Sequence, residues 1–95
     1  MFQQLPILDF DEIEHIDDRL VMDAIAKSNN INITLALIDA STAIKTKIFK
    51  NMPRSRASII REEMINKLKT YTPRGGELAQ RYILELINKR IIEDL

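Results

Sequence analysis

Apolar positions recur at spacings of three and four along most of this chain, the period of a helix that buries one face. The clearest series is Ala57, Ile60, Met64, Leu68 and Tyr71, with Ser55, Glu62, Asn66 and Lys69 turned to the opposite side. It predicts a helix over 54–71. Asn51-Met52-Pro53 precedes it as a stop. Proline has no backbone N–H and a φ fixed near the helical value, so it ends one helix and suits the first position of the next. Glu63 and Lys67 stand at i, i+4 in the favourable order, which adds a few tenths of a kcal/mol at most. On pattern alone this is an amphipathic helix with a solvated outer face.

The same reading extends to the rest of the chain. Residues 1–8 are expected to form a loose lead-in or hinge, with Pro6 preventing an early helix. Asp9 suits the cap of a short helix through Phe10 and Ile13 to Ile16, because its carboxylate accepts an unpaired N–H of the first turn. Asp17 caps the next, where Leu20, Val21, Ala24 and Ile25 form the apolar stripe. Ser28-Asn29-Asn30 is a turn signal. Ile31–Ile38 is short and apolar enough for a buried strand, but with helical patterns on both sides and no strand to pair with it predicts a buried helix. Ser41 caps a helix whose inner face is Ala43, Ile44, Ile48 and Met52, with Lys45, Lys47 and Lys50 mostly outward. Thr72-Pro73-Arg74-Gly75-Gly76 is a break with a cap-capable threonine and two flexible glycines. A last helix places Leu78, Tyr82, Ile83, Leu86, Ile87 and Ile91 on one face and leaves Gln80, Arg81, Glu85 and Lys89 turned away or flanking. About six short helices, with no strand and no repeat, define an all-α fold in a single compact domain.

The 95 residues suffice for one modest core, and 45% of them are apolar. There is no cysteine, which excludes disulfides and thiolate metal sites. No apolar run approaches the roughly 20 residues of a membrane span, and MFQQLPILDF lacks the basic flank of a signal peptide. A cytoplasmic protein is expected. Net charge is zero but unevenly spread: residues 1–40 carry two basic and eight acidic side chains, and residues 41–76 carry nine and two. An acidic first part and a basic middle can pair within the fold, pair between copies, or present a basic surface to a partner. Internal pairing is the plainest of the three.

Little in the chain points to catalysis. His15 is the lone histidine, without a second histidine or cysteine to share a metal. The cluster Asp9, Asp11, Glu12, Glu14, Asp17 and Asp18 lacks the spacing and central glycine of a calcium loop. Gly75-Gly76 follows no strand and matches no phosphate-binding pattern. No cofactor, metal or enzymatic activity is expected. A nucleic-acid-binding module using Arg54, Arg56, Arg61, Lys67, Lys69 and Arg74 is conceivable, but Glu62 and Glu63 interrupt the field and the net charge is zero. Mixed signs fit a protein–protein surface better, and no nucleic acid is expected as a partner.

Several short motifs stand in a characteristic order: Phe10-Asp11-Glu12-Ile13, Ile16-Asp17-Asp18-Arg19, Ala36-Leu37 with Ala40-Ser41, and Lys47-Ile48-Phe49-Lys50-Asn51-Met52. Arg61-Glu62-Glu63-Met64 and Ala79-Gln80 complete the series. Over about residues 7–93 the chain resembles the C-terminal domain of the flagellar motor switch protein FliG. The departures are specific. Ile38 and Asp39 stand where the family has lysine and glycine, and Ser55 stands at a basic position that Arg54 and Arg56 flank. Arg74 takes the place of a turn arginine if one residue is inserted, and Ile7-Leu8-Asp9-Phe10 keeps only the last phenylalanine of the family's hinge.

The resemblance implies a six-helix rotor subdomain in the cytoplasmic switch ring of the flagellar basal body. It would be membrane-proximal but not inserted, in a homo-oligomeric ring with other switch-ring proteins. Its charged helix would face the cytoplasmic loop of the stator, for torque and for switching direction, with Arg54, Arg56, Glu62, Glu63 and Arg74 as the partner-binding residues. A FliG-like assembly or scaffold protein without a motor role is the alternative.

Overall fold

Isoleucine at every fourth position of the last helix builds the ridge on which the other elements pack. In the computed structural model, which describes residues 4–95, that helix is α5 (Pro73–Glu93), and its buried line is Ala79, Ile83, Ile87 and Ile91. Before it come a 3-10 helix (Phe10–His15), α1 (Asp18–Lys27), α2 (Asn30–Ile38), α3 (Thr42–Phe49) and α4 (Arg54–Lys67). The described residues contain no strand, so the expected all-α fold of about six short helices holds, with the first helix of the tighter 3-10 kind. Helices α1 and α2 lie on α5, α4 lies on α2, and α3 packs on α1 and the 3-10 helix. One continuous core joins Ile13, Leu20, Ile25, Ile33, Leu37, Ile44, Ile48 and Ile60 to the α5 ridge.

Side-chain caps start most of the helices. Asp17 accepts from the Arg19 N–H at 2.8 Å, Asn29 from Asn32 at 2.8 Å, Ser41 from Ile44 at 3.2 Å and Thr72 from Gly75 at 3.1 Å. At the 3-10 helix Glu12 reaches back, and its Oε2 accepts from the backbone N–H of both Asp9 and Leu8 at 2.8 Å. These two bonds hold its carboxyl below the usual carboxylate range. Each cap satisfies an N–H that the helix itself leaves unpaired, typically worth about 1 kcal/mol.

Several expectations need correction. The lead-in, of which residues 1–3 lie outside the described residues, is irregular over 4–8 but tied down at Ile7. Ile7 is buried, its N–H donates to Asn88 Oδ1 at 2.8 Å, and its carbonyl accepts from Asn88 Nδ2 at 2.8 Å. Pro53 precedes α4 as its cap residue rather than opening it. Helix α4 stops at Lys67, so Leu68 and Tyr71 do not continue its buried stripe. Its last turn tightens, with the Leu68 N–H on Ile65 O and the Thr70 N–H on Lys67 O. Pro73, as the first residue of α5, disfavours helical backbone at Thr72, which is extended. Leu78 and Tyr82 are exposed, because the ridge of α5 follows a strict spacing of four that leaves them to one side. Ala43 is exposed too.

Lys47 departs furthest from its expected outward position. Its ammonium donates to Ile16 O at 2.6 Å and lies 2.9 Å from Asp18 Oδ1, with its side chain 12% exposed. Lys50 reaches the other oxygen of Asp18 at 3.3 Å, and Asn51 donates to Asp18 at 3.2 Å. Hydrogen bonding from Lys47 first, then Asn51, pulls the Asp18 carboxyl down to about 2.

The expected glycine break lies inside the first turn of α5. Gly76 is buried there, and a Cβ on it would collide with the hydroxyl and ring of Tyr71. Tyr71 is itself anchored, its hydroxyl donating to Asp39 Oδ2 at 2.7 Å. Burial first, and then the Asp39 carboxylate, push its phenol up to about 12.

Two outcomes follow, both measurable by denaturation. Gly76→Ala is expected to lower stability by about 1–3 kcal/mol through overpacking. In a Tyr71→Ala background its sign reverses, toward the gain of up to about 1 kcal/mol that alanine has over glycine in a helix; a urea double-mutant cycle reads the difference. Asp18 has a depressed folded pKa, so its contribution is complete above its ordinary value of 3.8 and disappears as pH falls toward about 2. Thermal midpoints of Asp18→Asn are expected to fall less steeply across that window than those of the parent.

Candidate functional site

Helix α4 violates the usual electrostatics at its N-terminal end. A helix N-terminus favours acids, yet the first turn of α4 carries Arg54 and Arg56 and no acid, and Pro53 offers no side-chain cap. One of the two arginines is spent inside the fold. The half-buried Arg56 guanidinium donates to Ile25 O at 2.8 Å, Ser28 O at 2.5 Å and Asn30 Oδ1 at 2.8 Å. Two of those acceptors are carbonyls at the C-terminal end of α1, where backbone oxygens lack helical partners. The planar fork of arginine can serve three such acceptors at once. Arg56 therefore fixes α4 against the α1–α2 turn.

The other charges of the helix find no such use. Among the described residues, Arg54, Glu62, Glu63 and Arg74 make no ion pair and no side-chain hydrogen bond. Arg54, Glu62 and Arg74 are exposed, and Glu63 is half-buried beside Asn30, Ile31, Thr34, Ile59 and Lys67. The Glu63 and Lys67 carboxylate and ammonium do not close an ion pair. Four of the five sequence-predicted residues thus lie on α4, and Arg74 stands in the first turn of α5. A pair of adjacent carboxylates and two separate cations are thus left without ion-pair partners among the described residues.

The basic middle of the chain divides accordingly. Lys47, Lys50 and Arg56 are absorbed by the acidic first part and its backbone, as internal pairing predicts. Arg61 lies over the Phe49 ring, its guanidinium carbon 4.3 Å from the centroid. The sequence pattern missed the apolar members of this surface. Ile65 is 69% exposed and Leu68 60%; Ile65 stands outside the series of Ala57, Ile60 and Met64, and that displacement was the available signal. No group of three histidine, cysteine or acidic side chains among the described residues could hold a metal ion. Among the described residues no helix is long and apolar enough to cross a membrane.

Fold and site together define a small all-helical domain that displays one charged helix its own packing does not neutralise. Residues 5–94 match the model of the FliG C-terminal domain, and the chain belongs to that family. It is also 30% identical, over 80 residues, to the flagellar motor switch protein FliG of Thermotoga maritima. That alignment covers 84% of this chain and 24% of the relative, so the chain spans about a quarter of that protein's length.

The two arginines of the first turn separate in a stability measurement. Arg56→Ala leaves the Ser28 carbonyl without its donor, while Ile25 O keeps the Ser28 N–H at 3.2 Å, and is expected to cost about 1–3 kcal/mol; Arg56→Lys recovers only part because an ammonium lacks the fork. Arg54→Ala is expected to stay within about 0.5 kcal/mol of the parent. Urea unfolding of the three variants checks the order.

Proposed function

We propose that this domain serves as a rotor and switch component of a flagellar motor, offering α4 to a charged cytoplasmic loop of a stator unit. Glu62 and Glu63 are the acidic half of the contact, and Arg54 and Arg74 flank it as the basic half. Arg56, bonded inward, acts by holding the helix in place. The observation that carries this reading is an acid doublet on α4 without an ion-pair partner among the described residues, Glu62 exposed and Glu63 half-buried at the α2 edge, in a chain of the FliG C-terminal domain family. The relative's printed name, flagellar motor switch protein, agrees with it.

The physics suits a passing contact. Exposed charge pairs contribute about 0–1 kcal/mol each and are screened beyond roughly 8 Å at physiological salt. A partner can be pushed and then released without dismantling a packed interface. In this reading the domain sits at the cytoplasmic face of the basal body, in a ring of copies with other switch-ring proteins, and performs no catalysis.

Reversing both acids, Glu62→Lys with Glu63→Lys, is expected to abolish or strongly impair swimming while thermal stability changes by no more than about 0.5 kcal/mol. Motility in soft agar, paired with a thermal melt of the isolated chain, reads both. Normal swimming in the double variant overturns the motor contact and leaves an assembly or scaffold role, which pull-down with the ring proteins would then identify.

A further inference from the structure

Between α3 and α4 runs a groove whose floor is apolar and whose rim is basic. Its more apolar end, with a cavity volume of ≈ 390 Å³, is bordered by Ile38, Phe49, Met64, Ile65 and Leu68, with Lys45 and Arg61 at its edge. The groove continues past Phe49 and Met52 to Arg54 near the start of α4, and Lys45, Phe49 and Arg61 border both parts. No acidic residue lines either part. Lys50 also borders it but is engaged by Asp18 at 3.3 Å, whereas Lys45, Arg54 and Arg61 have no carboxylate partner among the described residues.

We propose that this groove is a second docking surface, which takes an amphipathic helix of a partner protein with acidic side chains flanking an apolar stripe. Ile65 and Leu68 together leave most of their surface in water, a contiguous apolar patch of the kind that marks interaction sites. An apolar trough between two helices accommodates anchors at i, i+3, i+4 and i+7 of a third. The described residues offer no strand edge to which an extended peptide could add. The sign of the rim selects the sign of the flanks, because a basic rim attracts carboxylates and repels ammonium groups. This preference is opposite to that of the Glu62–Glu63 doublet, so α4 separates two partners by charge.

Two synthetic helical peptides with the same leucine stripe, one flanked by glutamates and the other by lysines, test the assignment in an NMR titration of the chain. The expected result is shifts centred on Phe49, Met64, Ile65 and Leu68, with the glutamate peptide bound at least about tenfold more tightly. Lys45→Glu with Arg61→Glu, shown by its thermal melt to be folded, is expected to invert the preference. The Glu62→Lys, Glu63→Lys variant is expected to bind the glutamate peptide at least as well as the parent, which keeps this outcome separate from the motor reading. Equal affinity for both peptides, no shift with either, or shifts centred on the acid doublet would each overturn the proposal. So would concentration-dependent self-association of the free chain through Ile65 and Leu68, since the occupant would then be a second copy.

Discussion

Burial of a single aliphatic ridge on α5 governs how everything else is arranged. Ile83, Ile87 and Ile91 are fully enclosed, and α1 and α2 face them from the other side of the core. Isoleucine is a mediocre helix former because its branched β-carbon stiffens the side chain against the preceding turn. Tertiary packing outweighs that preference: most of the stability of a protein helix comes from the face it buries. Once α1 and α2 are committed to α5, α4 rests chiefly on α2. It gives up Ala57 and Ile60 to the interior and keeps the rest of its circumference for other uses.

This division explains how a chain of zero net charge can display charge. The acids of the first part do not form a diffuse counter-field to the basic middle. Asp18 takes two lysines and an asparagine, and the α1–α2 turn takes an arginine through backbone oxygen. What remains on α4, apart from Arg61 over the Phe49 ring, is charge without an ion-pair partner among the described residues. The dipole of the helix favours none of it at the N-terminal end, where Arg54 stands without an acid. A position that breaks a local rule without a visible gain to stability is where function is expected to lie.

Much of the fold was legible in the chain itself. The helices, the caps at Asp17, Ser41 and Thr72, and the buried helix over 30–38 all follow from period and from hydrogen-bonding residue types. The misplacements share one cause, that a periodic pattern says which residues lie together but not which neighbour claims them. Leu78 and Tyr82 fit an apolar stripe as well as Ala79 and Ile83 do, and only the position of α2 decides between them. Arg56 and Lys47 look like solvated cations until α1 and the 3-10 helix present their carbonyls. Gly76 resembles a flexible joint until Tyr71 is folded against it. Long-range polar contacts of this kind leave no periodic trace, whereas the outward placement of Glu62 follows from the helix alone.

The bond between Asn88 and Ile7 has a mechanical meaning. One amide grips both the N–H and the carbonyl of a single residue, as a neighbouring strand would, so sliding the backbone lengthwise must break both bonds at once. Asn88 lies on α5 between Ile87 and Ile91, beside the ridge that α1 and α2 share. A tension on the backbone at Ile7 would therefore bear first on α5, the longest helix among the described residues and the one that carries the core ridge.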